Sequence, residues 1–288
     1  MCQLLFLLGC LNKNGLIKSF LELSQDEDNK DNKKYLDGFG FASIDHEKKW
    51  NVYVNELSYK EAMKKTPDVI ENEIMEIAKK DLVVGHLRNK KNGIVSKINT
   101  QPFQYENQIF CHNGYIDSFH DDNKKIKNII MKKIDKKYKQ EIKGETDSEY
   151  LFFLFLTFKH EIMSEDFTQD GEILTHDDTN VDKGNRNKRL CKQLKTAMQK
   201  MIQFLKELNV LIYLNIIYCN DEFAIITRYV IHKKKETLTS HSSTPSLLQS
   251  DIAPTLYYNT DNGLIVSSNP ISEQSELVKE NSFIIIKI

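Results

Sequence analysis

The sequence predicts an α+β fold in which two sheets are layered between helices, in one domain spanning residues 2–288. Three observations carry that prediction. Apolar runs of strand length come first along the chain, two or three helical patterns follow, and strands return at the end. The chain has 288 residues, enough for one large or two small domains, and no internal repeat divides it. Apolar residues make up 40% and can fill a core, while 28% charged residues keep the surface wet.

The elements follow in order. The stretch from Gln3 to Leu8 is short and continuously apolar after its first residue, which fits a strand buried on both faces. "QDEDNKDNKK" at 25–34 is almost wholly polar and reads as a solvated loop, the first of three polar excursions expected near 24–34, 164–188 and 233–252. "DGFGFASI" and "WNVYVNE" read as two strands joined at "DHEKK". Between Asp68 and Lys80, Val69, Ile70, Ile74 and Ile77 recur at helical spacing, and "DLVVGHL" is then another buried strand.

A strand from Gln108 to His112 leads into Asn113-Gly114, the strongest short hairpin signal. From Asn123 to Lys143, Ile126, Ile130, Ile134, Tyr138 and Ile142 recur every four residues among nine lysines, giving an amphipathic helix with a basic outer face. "DSEYLFFLFLTF" is apolar all round and predicts a buried helix capped by Thr146, Asp147 or Ser148. Another helix is expected from Leu190 to Leu208. "VLIYLNIIYC", "FAIITRYVI", "TLYYN", "GLIVSS" and "SFIIIKI" complete the chain as strands, interrupted by a Ser/Thr-rich loop beginning at "KKKETLTSHSSTP".

Composition excludes several function classes. Forty basic and 41 acidic side chains nearly cancel, so no global field draws nucleic acid or membranes. The basic face at 123–143 contains one aromatic, Tyr138, and no arginine, so it reads as a solvated face and not as a nucleic-acid surface. Nothing approaches the run of about 18 apolar residues that a membrane span requires. An export leader needs a basic n-region and a longer apolar stretch, whereas no Lys or Arg precedes Leu4 and the run ends at Gly9. Five cysteines without a C-x-x-C suggest neither a disulfide framework nor a zinc ribbon, and point to a reducing cytoplasm. The clusters "HDD" at 120–122 and "HDDTN" at 176–180 lack ligand spacing, so no metal and no cofactor are expected.

A few residues carry reactive chemistry. Cys2 follows the initiator Met, and removal of that Met leaves a cysteine with a free α-amine. The amine's pKa of about 7.7–8.0 lies just below the thiol's value of about 8.5, so such a nucleophile brings its own general base. The alternative is a small hydrophobic side chain on a core strand. Asn113 and Gly114 offer either a plain turn or, as carboxamide and backbone N–H donors projecting from that turn, an oxyanion hole. A dyad of Cys111 and His112 is rejected, because adjacent strand residues point to opposite faces. Arg88 ends a buried strand and needs an anion, from a carboxylate of the protein or of a ligand. Asp147 stands at a helix start, where capping competes with a binding role. His86 reads as a satisfied core histidine.

Taken in order, the N-terminal Met-Cys, "DGFG" at 37–40, His-x-Arg at 86–88, "NTQPF" at 99–103, "HNG" at 112–114 and "TDSE" at 146–149 resemble the class II glutamine amidotransferases. "ITRYV" and "GLIVSSNPIS" extend the likeness to stand-alone members, among them the amidotransferase subunit of the fungal glutathione-degradation complex. The resemblance implies a four-layer αββα sandwich of two mainly antiparallel sheets, the N-terminal-nucleophile hydrolase type. It implies that Cys2 attacks a γ-glutamyl amide, that Asn113 and Gly114 hold the oxyanion, that Arg88 grips the substrate α-carboxylate and that Asp147 accepts from its α-ammonium. The substrate is then a small γ-glutamyl compound, glutamine or a peptide such as glutathione, with a partner subunit where the ammonia is passed on. The chain departs from the family pattern at Gln101, where histidine is usual, at Asn89-Lys90-Lys91, where small hydroxyls are usual, at Gln3 in place of arginine and at Asn269 in place of glutamate. Those departures motivate an alternative: a catalytically silent relative that acts as a binding subunit in a complex.

Overall fold

The computed structural model describes residues 2–24, 35–91, 93–169, 180–234 and 254–288. Strand β1 (Gln3–Leu8) opens the chain and is buried along almost its whole length. Its side chains alternate, with Leu4 and Phe6 on one face and Leu5 and Leu7 on the other, and each pair enters a different core. That double burial is why the segment is continuously apolar.

Helix α1 (Lys13–Glu22) follows, begun by Asn12, whose side chain accepts from the Gly15 N–H. Strands β2 (Phe39–Ile44) and β3 (Trp50–Asn55) form the expected hairpin across 45–49. Ser58 caps α2 (Tyr59–Lys65), Pro67 starts α3 (Pro67–Ala78), and β4 (Leu82–Leu87) returns. Strands β5 (Phe103–Tyr105) and β6 (Gln108–Ile116) lead into the second half.

The stretch 123–143 is not one helix. It divides into α4 (Lys125–Lys133) and α5 (Lys136–Lys139), because the Asp135 side chain accepts from the Lys137 N–H while its own N–H donates to Thr157 Oγ1. Ile126, Ile130, Ile134 and Tyr138 nevertheless enter one core, so the four-residue period is preserved across the break. The polar stretch near 164–188 is also largely helical: α6 (Asp147–Gln169) and α7 (Asn180–Glu207) run into it from both sides. Residues 170–179, like most of 24–34 and 233–252, lie outside the described residues, and with them most of "HDDTN". Strands β7 (Ile212–Cys219), β8 (Phe223–Ile231), β9 (Tyr257–Asn259), β10 (Leu264–Ser267), β11 (Glu276–Leu277) and β12 (Ser282–Lys287) end the chain.

These strands form two sheets, in the orders β11-β9-β10-β1-β4-β2-β3 and β12-β8-β7-β6-β5, and every pairing between them is antiparallel. Three apolar clusters separate four layers. One joins α1, α2 and α3 to the outer face of the seven-stranded sheet. A second lies between the sheets, where Leu4, Phe6 and Val84 meet Ile109, Cys111, Ile217 and Ile226. The third joins the five-stranded sheet to α4–α7 and contains the apolar run of α6 from Tyr150 to Phe158. The fold is thus an αββα sandwich, and no helix among the described residues is long and apolar enough to cross a membrane.

Candidate functional site

At one end of the sandwich, Cys2, Arg88, Gly114 and Asp147 line a single narrow cleft together with Lys90, Lys91, His112 and Ser148. Each of these comes from a different part of the sequence. Cys2 directly precedes β1, the central strand of its sheet, and Arg88 directly follows the neighbouring β4. Gly114 lies in β6 of the facing sheet, and Asp147 is the first residue of α6.

The Cys2 thiol is held against the backbone of Asn89, whose N–H donates to Sγ at 3.4 Å. Burial pushes its pKa above the ordinary value, while the Asn89 N–H and the Arg88 guanidinium act in the opposite direction. Arg88 is 4% exposed, and its Nη2 donates to the Ile94 carbonyl at 3.1 Å. Desolvation lowers its pKa, and the Asp37 carboxylate works against that. Asp37 and Gly38 brace the strand end: the Arg88 N–H donates to the Gly38 carbonyl, and Asp37 Oδ2 accepts from the Lys90 N–H. The "DGFG" motif therefore holds the segment that carries Arg88.

Asn113 and Gly114 are not in a turn. Strand β6 runs straight through them, and Asn113 pairs with Asn215 and Gly114 with Leu214. The hairpin expectation fails because Gly114 is needed for closeness and not for turning. A Cβ there would lie 2.0 Å from the Tyr213 carbonyl oxygen, which also accepts from His112 Nε2. On the edge of β6 away from β7, His112 N–H donates to Gln101 Oε1 at 2.6 Å and Ile116 N–H donates to Asp147 Oδ2 at 2.8 Å. Antiparallel alternation points the Gly114 N–H the same way, between those two partners and toward the cleft. Asn113 sits on the opposite face of the strand, 2% exposed, with Nδ2 donating to Ser268 Oγ at 3.2 Å. Ser268 Oγ also accepts from the Leu4 N–H at 2.9 Å, so one hydroxyl fastens Asn113 to β1.

Asp147 is not the cap of α6. Thr146 fills that role, its Oγ1 accepting from the Glu149 N–H. Asp147 is instead fixed by the Ile116 and Ser148 N–H groups, one on each carboxylate oxygen. Each oxygen keeps acceptor capacity for a ligand cation.

Among the departures, Gln101 continues the β6 ladder with its carboxamide, accepting from the His112 N–H and donating to its carbonyl. Gly40 makes room for it, since a Cβ there would lie 2.4 Å from the Gln101 carbonyl. Lys91 faces the cleft mouth with Nζ 4.0 Å from the Tyr115 ring centroid. Cys111 packs between the sheets while His112 Nδ1 meets Ser148 Oγ at 2.9 Å, so the two are back to back. His86 is fully buried, but among the described residues neither ring nitrogen meets a partner at hydrogen-bond geometry, contrary to the satisfied core histidine expected.

Sequence reasoning named Asn89 only as a departure and Ser148 only as a possible cap, and gave Ser268 no role. The structure puts the Asn89 N–H on Cys2 Sγ, Ser148 Oγ against His112 and Ser268 Oγ on Asn113. The consecutive serines that end the apolar run "GLIVSS" were the available signal for Ser268. Among the described residues no three His, Cys, Asp or Glu side chains gather as a metal site.

Comparison with known proteins shows the family and the shared fold. A family model described as Glutamine amidotransferases class-II matches residues 1–177. The Saccharomyces cerevisiae protein named probable glutamine amidotransferase DUG3 is 30% identical over 180 residues, covering 59% of this chain and 45% of that one. The chain thus spans under half the length of that curated relative. A glutamine aminotransferase class-II domain protein from Silicibacter pomeroyi superposes with a TM-score of 0.52 at 15% identity, covering 100% of this chain and 95% of that one. The glutamine PRPP amidotransferase of B. subtilis gives 0.54 at 11% identity, covering 100% and 47%. Those two likenesses show the shared fold.

Proposed function

Because this chain belongs to the class-II glutamine amidotransferases, we propose that it hydrolyses a γ-glutamyl amide bond through a thioester on Cys2 and releases glutamate. The observation that carries the reading is the meeting of Cys2, Arg88, Gly114 and Asp147 in one cleft; Asn113, next to Gly114 in β6, is not among the residues that line it and donates to Ser268 Oγ.

Cys2 Sγ attacks the amide carbon and the carbonyl electrons move to oxygen. Asn113 Nδ2 and the Gly114 N–H donate to that oxyanion; losing one such donor typically costs roughly 10²–10³ in rate. Once Met1 is removed, the α-amine of Cys2 takes the thiol proton and returns it to the departing nitrogen as the C–N bond breaks. A base is needed, because burial keeps this thiol protonated at neutral pH. Water then attacks the thioester, glutamate leaves and the thiol is restored.

Arg88 pairs with the substrate α-carboxylate and Asp147 accepts from its α-ammonium, so a free glutamyl head group is selected while the leaving group is less constrained. Glutamine and γ-glutamyl peptides such as glutathione both meet that requirement. A partner subunit is the destination of any ammonia passed on, and the five free cysteines suit a cytoplasmic setting.

The test is intact-mass analysis of native-source protein before and after a γ-glutamyl diazoketone. Loss of one Met and a single adduct on Cys2 is expected, with glutaminase activity lost in Cys2→Ala. A retained Met without adduct would instead make the chain a silent binding subunit.

A further inference from the structure

Beside Gly114 the layer between the two sheets turns polar. One inward-facing row of the five-stranded sheet sets Cys111 beside Ile217 and Ile226, all three apolar and buried. Two residues along each strand, and so on the same face, the next row sets Asn113 beside Asn215 and Arg228. Asn215 is 1% exposed and Arg228 9%. Burying a carboxamide and a guanidinium costs free energy that another apolar row would not incur, so their partners carry the explanation.

Asn215 Nδ2 donates to the carbonyls of Pro254 and Thr255, each at 3.0 Å. Arg228 Nε donates to the Pro254 carbonyl at 3.5 Å, and its Nη1 to the Val278 carbonyl at 2.8 Å. Residues 254 and 255 are thereby fixed to the inner face of the five-stranded sheet. Thr255 Oγ1 in turn donates to the Ser268 carbonyl at 2.8 Å. Ser268 is then held at every polar group it has. Its N–H donates to the Leu4 carbonyl, its hydroxyl accepts from Leu4 and Asn113, and its carbonyl accepts from Thr255.

Asn113 stands next to the cleft without lining it, so the direction of its amide decides whether the second Nδ2 hydrogen reaches an oxyanion there. Among the described residues Asn113 Oδ1 meets no partner, and the one hydrogen bond that sets the amide's direction is to Ser268 Oγ. We propose that Thr255, held by Asn215, is a positioning residue for the oxyanion donor Asn113 and acts through Ser268. The assignment rests on the hydrolytic reading above, in which Asn113 donates to the oxyanion. Thr255 touches no reacting atom. Removing its hydroxyl frees the Ser268 carbonyl, and the amide anchored on that serine loses its direction. Arg88 and Asp147, which grip the glutamyl head, are fixed by other partners and keep their places.

The experiment compares glutamine hydrolysis by full chains carrying Thr255→Val, which lacks the donor at similar volume, and Thr255→Ser, which keeps it. Thr255→Val should lower kcat about five-fold with KM within about two-fold, and Thr255→Ser should restore kcat to within about two-fold of the parent. The Val change is then repeated in Asn113→Ala. With the amide gone, a positioning role predicts a further change of less than about two-fold, whereas a merely structural role repeats the five-fold loss. The NMR signals of the Asn113 side-chain amide should also move in Thr255→Val and return in Thr255→Ser. Unchanged kcat in Thr255→Val, unmoved amide signals, or an equal loss in the Asn113→Ala background would each overturn the proposal. Failure of the hydrolytic reading looks different: the Met-processed parent turns over no glutamine, or Asn113→Ala turns it over as fast as the parent, and the proposal then falls with it.

Discussion

Burial works against Cys2 as a nucleophile, and the surrounding donors only partly offset it. The thiolate fraction at neutral pH is therefore small unless a base is at hand. In protein that retains Met1, the rate of Cys2 alkylation should keep rising with pH past the thiol's ordinary value of about 8.5, because burial raises it. In Met-free protein the profile should break near the α-amine's pKa of about 7.7–8.0. Superimposable profiles would remove the amine from the mechanism. A second residue-level expectation concerns Ser268, which positions Asn113 without reaching the reacting atoms. Ser268→Ala should lower kcat about ten-fold and leave KM within about two-fold, since the amide loses its anchor but not its place in β6. A change in KM alone would assign Ser268 to binding.

Strand β6 is the element on which the candidate site depends. On its free edge successive N–H groups meet Gln101, the cleft and Asp147 in turn. That continuity needs a glycine at 114, where a Cβ would collide with the Tyr213 carbonyl. Gly114→Ala should cost about 3 kcal/mol, a fall in Tm of roughly 5–10 °C, because backbone and not a pliable side chain must give way. Gly9→Ala, where the space is open but φ is +64°, should cost only about 1 kcal/mol. Thermal melts of the two variants check the ordering. The same element shows what local reading could and could not reach. Asn113-Gly114 is a hairpin signal only when the chain must reverse, and the reversal was overridden by pairing with β7, which lies about a hundred residues away. Cys2, Arg88 and Asp147 are ambiguous one by one, as a core cysteine, a paired cation and a helix cap would look the same, and only the order of the motifs along the chain singles them out as site candidates. Helix α1 was missed although Leu16, Ile17, Phe20 and Leu21 have helical spacing behind the Asn12 cap. Its small size and its glycine at 15 weaken that signal. Ser268 and Gln101 act through distant partners, which no local pattern contains.

At the scale of the whole molecule, the two sheets meet over an apolar layer that includes one titratable ring. His86 shares its strand face with Leu82 and Val84, which pack between the sheets. Burial pushes its pKa down to about 3, with Arg88 and His112 adding to the effect and a contact to the His112 backbone opposing it weakly. His112, buried on the other side of β6, is lowered as well by burial, though Asp147 works against it. The unfolded chain protonates His86 at about 6.5 while the folded chain does so only near 3. Between those values the unfolded state holds more protons, so stability falls as pH drops, and at pH 4.5 the loss from this one ring is about 3 kcal/mol. His86→Leu is close in volume and removes the titration together with two buried nitrogens that make no well-formed hydrogen bond among the described residues. It should be no less stable than the parent chain at pH 7 and should lose about 3 kcal/mol less between pH 7 and pH 4.5. Urea unfolding at both values measures this directly, and because carboxylates common to both proteins cancel in the difference, parallel pH dependences would show that His86 is not the acid-sensitive element joining the sheets.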